Sequence, residues 1–300
     1  MTTKLERIAR ASAAHGKRMK STRTRIRRAF RDVLGKSNGV ILYEGPSTGN
    51  GDPIVVVATG IKRRTTNRKT DDMVQIWILR QDMSPQEAWH KGLDAGSNCP
   101  VECIHRSPAS GGKGSCYLEL YNAPRAVWQA WKDGSYSYLP EEDWSYAEPG
   151  KNRDRFFAGL TVRFGAYGDP GMVPAEVWSF RHVLKSYTGY TARWSALSTG
   201  DHGIPHMQWQ WLTASVPTVA DALRARSKGW RYFRAKAEGS PDMEGEQPCP
   251  AVGDEPLPCA LCTACDGSER ASKRPSRTIE VHGAMAKSFE QWADGQEVTA

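Results

Sequence analysis

Short runs rich in β-branched and aromatic residues alternate with stretches of helical periodicity along most of this chain. VILYEG (40–45), PIVVVATG (53–60) and QIWILR (75–80) predict three strands, the first two separated by the turn PSTGNG. SPQEAWHKGL (84–93) predicts a helix, with Ser84 as N-cap, Pro85 at the first position and Glu87 completing a capping box. APRAVWQAWKDG (123–134) predicts a second helix, stopped at Gly134. From residue 156 the alternation becomes regular. FAGLTVRFG reads as a strand, PAEVWSFRHVLK (174–185) as a helix, GYTARW (189–194) as a strand and QWQWLTASV (208–216) as the next strand. TVADALRARSKG (218–229) follows as a helix, WRYFRAK (230–236) and TIEVHG (278–283) as strands, and AKSFEQWA (286–293) as a closing helix. Strands alternating with helices imply βαβ units and a parallel sheet. The predicted fold is therefore α/β, a complete or partial βα barrel-like parallel sheet, with a doubly wound α/β sheet as the alternative. In either, the working face lies at the C-terminal ends of the strands. Residues 39–300 read as one α/β domain behind a basic arm at 1–38, and the Pro-, Gly- and Cys-rich stretch 237–277 reads as an insertion into it.

Composition narrows the class. Thirty-nine per cent hydrophobic residues and eleven tryptophans can build one sizeable core. No apolar run approaches the ~20 residues a bilayer span needs, and no apolar segment follows the basic N-terminus as a secretory signal would require. The expected location is the cytoplasm, where seven cysteines point to metal ligation rather than to disulfides.

The net charge of +8 is concentrated at one end. Residues 1–70 hold seventeen Lys or Arg against four acids, whereas the rest of the chain is net acidic. The run KRMKSTRTRIRRAFR (17–31) contains no acid. Lys17, Arg18, Lys20, Arg23, Arg25, Arg27, Arg28 and Arg31 are its candidate nucleic-acid contacts, because such a cluster neutralises phosphates and releases counterions. The other reading is a solvated extension. A second basic patch, Lys62, Arg63, Arg64, Arg68 and Lys69, would strengthen the first reading if folding brought it beside the arm.

The cysteines fall into two sets. Cys249, Cys259, Cys262 and Cys265 follow the order C-P-x8-C-x2-C-x2-C. Three ligands at this spacing suit a loop wrapped round a four-iron, four-sulfide (4Fe-4S) iron–sulfur cluster, with the Cys-Pro thiolate arriving from elsewhere; zinc is the alternative. Cys99, Cys103 and Cys116 form the second set. They would leave one iron of a cluster open, or would close a zinc site with His105 as fourth ligand, or Cys116 would be an ordinary small buried residue.

C-P-x2-C (99–103), C-Y (116–117), R-F-G-A-Y-G-D-P (163–170), T-G-Y-T-x-R-W (188–194), C-P-A (249–251) and I-x-V-H-G (279–283) resemble the cysteine-motif proteins of tailed phages akin to the "gene product eighty-eight" family. The resemblance runs from about residue 40 to 285. Those proteins in turn resemble radical S-adenosylmethionine (SAM) enzymes, which implies an iron–sulfur enzyme, S-adenosylmethionine as a cofactor, and a bacterial host cell. Twelve residues separate Cys103 from Cys116 here, where radical SAM loops have two between the second and third cysteines.

Strand-end polar residues complete the candidate site. Asp169 follows the strand ending near Gly165, Arg193 and Ser215 end the next two, and His282 ends the last. They are the candidate catalytic groups, with a turn-forming Asx role as the alternative for Asp169. His202 and His206 are discounted, because Pro205 breaks the helix that a zinc pair would need. Two functions remain: an iron–sulfur enzyme of radical SAM-like type with a basic arm on nucleic acid, or a non-catalytic nucleic-acid-binding protein stabilised by zinc or a cluster.

Overall fold

β-branched residues dominate the first strands, and burial on both faces is what such continuous apolar runs favour. In the computed structural model, residues 3–64, 67, 69–139, 151–199, 209–267, 274–283 and 286–297 are described. Ten strands form one sheet: β1 (Gly39–Pro46), β2 (Pro53–Thr59), β3 (Val74–Arg80), β4 (Ser137–Tyr138), β5 (Thr161–Tyr167), β6 (Ser186–Thr191), β7 (Thr213–Val216), β8 (Tyr232–Lys236), β9 (Glu246–Pro248) and β10 (Ser276–Glu280). Their order is β4-β1-β2-β3-β5-β6-β7-β8-β10-β9. β1, β2 and β3 make an antiparallel meander, which the alternation of strands and helices did not predict. All pairings from β3 to β9 are parallel. The fold is thus α/β with a mostly parallel sheet. Its edges, β4 and β9, are not paired with each other among the described residues, so the sheet is open and a complete barrel is not formed.

Register separates two faces. Val162, Phe164, Tyr187, Ala214, Val216 and Tyr232 point to one side and join Trp178, Phe157, Phe180, Trp209 and Trp211 in the main core. The other side carries Arg163, Thr188, Tyr190, Ser215, Phe233 and Arg277 in the same ladders. Under the meander this second side is apolar: Ile41, Val55, Val57, Trp77 and Leu79 pack with Leu120 and Val127. Fully burying such aliphatic side chains contributes about 1.5–3 kcal/mol each.

The basic N-terminal segment is not a free arm. It forms α1 (Lys4–Ala29), whose N-terminus carries a complete capping box between Thr3 and Glu6. His15, Met19, Arg23 and Ile26 recur at helical spacing and are buried. Met19 and Ile26, with Phe30 and with Leu34 of α2 (Arg31–Leu34), belong to the main core. Arg23 is clamped: its Nη1 donates to Asp72 at 2.6 Å, and its Nε and Nη2 donate to the Gly60 carbonyl at 2.9 Å. Arg25 donates to the carbonyls of Arg155 and Ala158. These partners lie before β3 and β5, so α1 runs along the N-terminal edge of the parallel strands.

α3 (Pro85–Lys91) starts on Ser84, whose hydroxyl accepts from the Glu87 amide at 3.2 Å, and stops at Gly92 in the left-handed region. α4 (Ala123–Lys132), α5 (Lys151–Phe157), α6 (Trp194–Thr199), α7 (Val219–Ser227), α8 (Cys259–Cys262) and α9 (Ala286–Glu297) complete the helices. Two expectations change. The helix expected over 174–185 is a 3-10 helix, Ala175–Val183; three residues per turn put Val177, Phe180 and Val183 on one face against the core. The strand expected over 208–216 is confined to β7, because Trp209 and Trp211 turn into the core instead. Among the described residues no helix is long and apolar enough to cross a membrane.

Candidate functional site

The turn after α3 is tied by its own backbone. The Asp94 carbonyl accepts from the amides of Ser97 at 3.2 Å and Cys99 at 3.0 Å, and the Gly96 amide donates to the Cys99 carbonyl. This locks Cys99 beside Asn98, whose Nδ2 lies 3.7 Å from the thiol sulfur. Cys103 follows on a turn closed by its amide to the Pro100 carbonyl, and Arg106 donates to the Cys103 carbonyl at 2.7 Å. From the sheet side, Gly168 (φ +78°) lets the chain pass so closely that a Cβ there would lie 2.5 Å from the Ile78 carbonyl oxygen. The next amide, Asp169, donates to the Asn98 carbonyl at 2.8 Å.

The result is a buried cluster of polar groups and thiols. Burial pushes the Cys103 thiol up to about 12 and Cys116 to about 11; Cys99 goes well above its ordinary value, raised next by Asp94, Cys103, Cys116 and Asp169 around it. Tyr167 is raised by burial and then by Cys99 and Asp94. Four polar side-chain atoms here are buried without a hydrogen-bond partner: Asp94 Oδ1, Ser97 Oγ, Asn98 Oδ1 and the Tyr167 hydroxyl. Tyr167 stands beside Asn98, but the pair lacks hydrogen-bonding geometry. None of these four residues was singled out in the sequence, although D-A-G-S-N-C places three of them directly before Cys99.

The second set is docked over the same face of the sheet, further along. The Cys259 amide donates to the Lys69 carbonyl at 2.8 Å, the Cys249 amide to the Thr278 carbonyl at 2.7 Å, and the Gly189 amide to the Cys265 carbonyl at 3.1 Å. Arg231 on the strand approach holds the segment, donating to Asp266 at 3.1 Å, to the Gly267 carbonyl at 2.8 Å and to the Ala264 carbonyl. Burial raises Cys259 to about 11 and Cys265 to about 12, and each thiol of the set acts on the others. Arg163 stands between the two sets. Its Nη2 lies 3.4 Å from the Tyr117 hydroxyl, next to Cys116, while its charge acts on Cys259 and Tyr190.

All seven cysteines are free thiols. Among the described residues no three His, Cys, Asp or Glu side chains are gathered as ligands of one ion. His105, weighed as a fourth ligand, has its Nδ1 2.8 Å from Ser115 Oγ and its ring stacked on Phe289 of α9 at 5.6 Å. Burial lowers its pKa to about 4.

The four candidate catalytic residues are dispersed. Asp169 is buried, and its carboxylate accepts from the Gly171 amide at 2.8 Å and the Ala192 amide at 2.7 Å; burial raises it to about 6 despite these bonds. This is the Asx-type role weighed above, combined with a position beside Cys99. Arg193 is buried as a brace, donating to Thr48 Oγ1 at 2.9 Å and the Gly171 carbonyl at 3.0 Å. Ser215 lies on the thiol-bearing face opposite Phe233. His282 is exposed, with Nε2 2.6 Å from Lys69 Nζ.

Of the basic residues on α1, Arg23 is removed from the candidate contacts by its buried ion pair with Asp72. Lys17, Arg18, Lys20, Arg25, Arg27, Arg28 and Arg31 are exposed. Lys17, Lys20, Arg25 and Arg28 line one shallow hollow of about 660 Å³. Of the second basic patch, Lys62 donates to the Gly35 carbonyl just after α2, and the loop that carries Lys69 is tied to α1 by the Ser12 hydroxyl, which donates to Asp71 at 2.7 Å. Arg68, His202 and His206 lie outside the described residues. Comparisons with protein-family models, curated proteins and solved structures find no match to this chain.

Proposed function

We propose that the chain is an iron–sulfur protein of the radical SAM-like kind that its cysteine motifs resemble. Cys99, Cys103 and Cys116 would hold a 4Fe-4S cluster with one iron open, and Cys249, Cys259, Cys262 and Cys265 a closed one. The observation that carries this reading is the gathering of the thiols into two sets whose members act on one another, the four-thiol set at Tyr190 and the three-thiol set beside four buried polar atoms without a hydrogen-bond partner. The donor set has the chemistry of the group, free thiols in a set of three and a set of four. Thiolates of a cubane each hold a different iron, so they stand further apart than ligands round a single ion, and a lack of single-ion geometry is compatible with it. A cluster with an open iron supplies one-electron transfer and a coordination position, which S-adenosylmethionine occupies in the enzymes of that resemblance.

The residues around the three-thiol set would do the rest. Asp94, Asn98, Ser97 and Tyr167 offer acceptors and hydroxyls to a polar substrate, and the buried setting excludes water from it. Asp169 and Arg193 hold the loops that frame this buried cluster. We read the sheet as a partial barrel: the His105–Phe289 stack joins the segments following β3 and β10 across four intervening strands, and Lys69, before β3, meets His282, after β10. Protein purified without oxygen should be brown and contain iron and acid-labile sulfide. Colourless protein with stoichiometric zinc would refute the cluster at both sites.

The exposed basic face of α1 favours a second reading, nucleic-acid contact, compatible with the first. Deleting the helix cannot test it, because Met19 and Ile26 belong to the core. Replacing Lys17, Lys20 and Arg28 by Ala should instead flatten the slope of log affinity against log salt by roughly 0.7–0.9 per lost phosphate contact. An unchanged slope would reduce this face to a solvated surface.

A further inference from the structure

A hollow of about 640 Å³ opens between α1, the start of β6 and the cysteine segment around α8. Its wall includes Arg18 from α1, Lys185 and Ser186 at the N-terminal end of β6, and Leu261, Thr263 and Arg274 from the cysteine-rich insertion. It is therefore remote from Asp169 and Arg193, which stand at the opposite end of the strands. Three cations from three separate parts of the chain face one lining carboxylate, Asp266. That carboxylate is already engaged, by Arg231 at 3.1 Å and Arg274 at 3.5 Å. Arg18 gives one nitrogen to the neutral acceptor His15 Nδ1 at 2.8 Å, which orients the guanidinium without cancelling its charge. Arg274 is steadied by the Thr263 carbonyl at 2.9 Å.

We propose that this hollow binds a phosphate group, with Arg18 and Lys185 as its principal contacts and the Thr263 hydroxyl as a neutral donor. A guanidinium and an ammonium converging on a concave surface with a hydroxyl donor match a phosphate's charge and its acceptor oxygens. The volume falls within the range of small-molecule sites, enough for a nucleoside diphosphate; a strand lying along α1 could present the same chemistry as a backbone phosphate. One wall belongs to the segment of Cys259, Cys262 and Cys265, but the principal contacts, Arg18 and Lys185, come from outside it. The site also differs from the outward face of Lys17, Lys20 and Arg28, so its failure would leave both readings above standing.

The test is binding at low salt of ADP and of a short 5′-phosphorylated single-stranded oligonucleotide, by calorimetry and fluorescence anisotropy, to the full chain. Arg18→Gln and Lys185→Gln should each weaken binding about tenfold, the loss of one charge-assisted contact. Lys132→Gln, the same charge change on α4, should not. Inorganic pyrophosphate should compete on the unaltered protein, which keeps the test independent of any folding defect. Binding of ADP identifies a free nucleotide as the source of the phosphate, and binding of the oligonucleotide alone identifies a strand. Absence of binding by either, failure of pyrophosphate to compete, or a double variant that binds like the parent overturns the proposal.

Discussion

The two cysteine sets share a sheet face and a chemistry but differ in how their surroundings are satisfied. The strands that carry the four-thiol set pair their buried charges on both faces: Arg231 with Asp266 at 3.1 Å on the thiol side, and Arg234 with Glu246 at 2.6 Å and Lys236 with Asp242 at 2.9 Å on the other, while the buried Arg277 Nε keeps no hydrogen-bond partner. Around the three-thiol set, Asp94, Ser97, Asn98 and Tyr167 each keep a buried polar atom without a partner. An unpaired buried polar group costs about 1–3 kcal/mol. Four such atoms stand at one place beside the three-thiol set. The proposed division, structure for the first set and reactivity for the second, rests on this contrast.

The largest expected effect tests the satisfied side. Arg234→Met leaves the Glu246 carboxylate, whose side chain is fully buried, without its principal partner. Breaking such a pair costs about 3–5 kcal/mol, and urea denaturation should show it. A loss below ~1 kcal/mol would remove the contrast from that side. Arg231→Met should behave similarly, because it also frees the carbonyls of Ala264 and Gly267.

Acid titration gives the next largest effect and carries a sign. His105 is held neutral, with its pKa lowered from 6.5 to about 4. Its contribution to stability is complete above pH 6.5 and is lost as the pH falls towards 4, by on the order of 3 kcal/mol. Asp169 acts oppositely. Its pKa is raised from 3.8 to about 6, so its contribution is present below pH 3.8 and lost as the pH rises through 6. In the parent the two trends offset one another between pH 6 and 4. His105→Asn should therefore gain stability relative to the parent on acidification, and Asp169→Asn should lose it. Parallel pH profiles for all three proteins would mean that neither group is desolvated as described.

Much of this was legible in the sequence, and the failures have physical causes. Alternating β-rich and helical runs located β5 to β8 and α7, because each βα unit has its own local signal. The antiparallel meander was missed because strand direction depends on pairing, and β1, β2 and β3 carry apolar runs that look alike either way. The cysteine spacings marked both sets, yet the polar atoms that distinguish them come from Tyr167 and from the turn before Cys99, which only the register of β5 brings together. Arg23 was indistinguishable from its neighbours in a basic run until Asp72 and Gly60 were placed against it. The same packing converted an expected extension into part of the core.

The smallest effect is the most discriminating for the unsatisfied side. Tyr167 is 2% exposed, and its hydroxyl has no partner. Removing the oxygen leaves the ring packed with Val55, Trp77 and Leu79 and abolishes an unmet desolvation cost. Tyr167→Phe should therefore change stability by less than ~1 kcal/mol, and in the favourable direction. Asp94→Asn should be comparably mild, since it discharges a carboxyl that burial already pushes up. If these buried polar groups serve a substrate or a cluster, both variants should alter the visible spectrum or the substrate affinity of anaerobic protein while thermal unfolding hardly moves. A destabilisation of several kcal/mol would show instead that the hydroxyl is bonded in solution, and the difference between the two sets would then have to rest on the buried ion pairs alone.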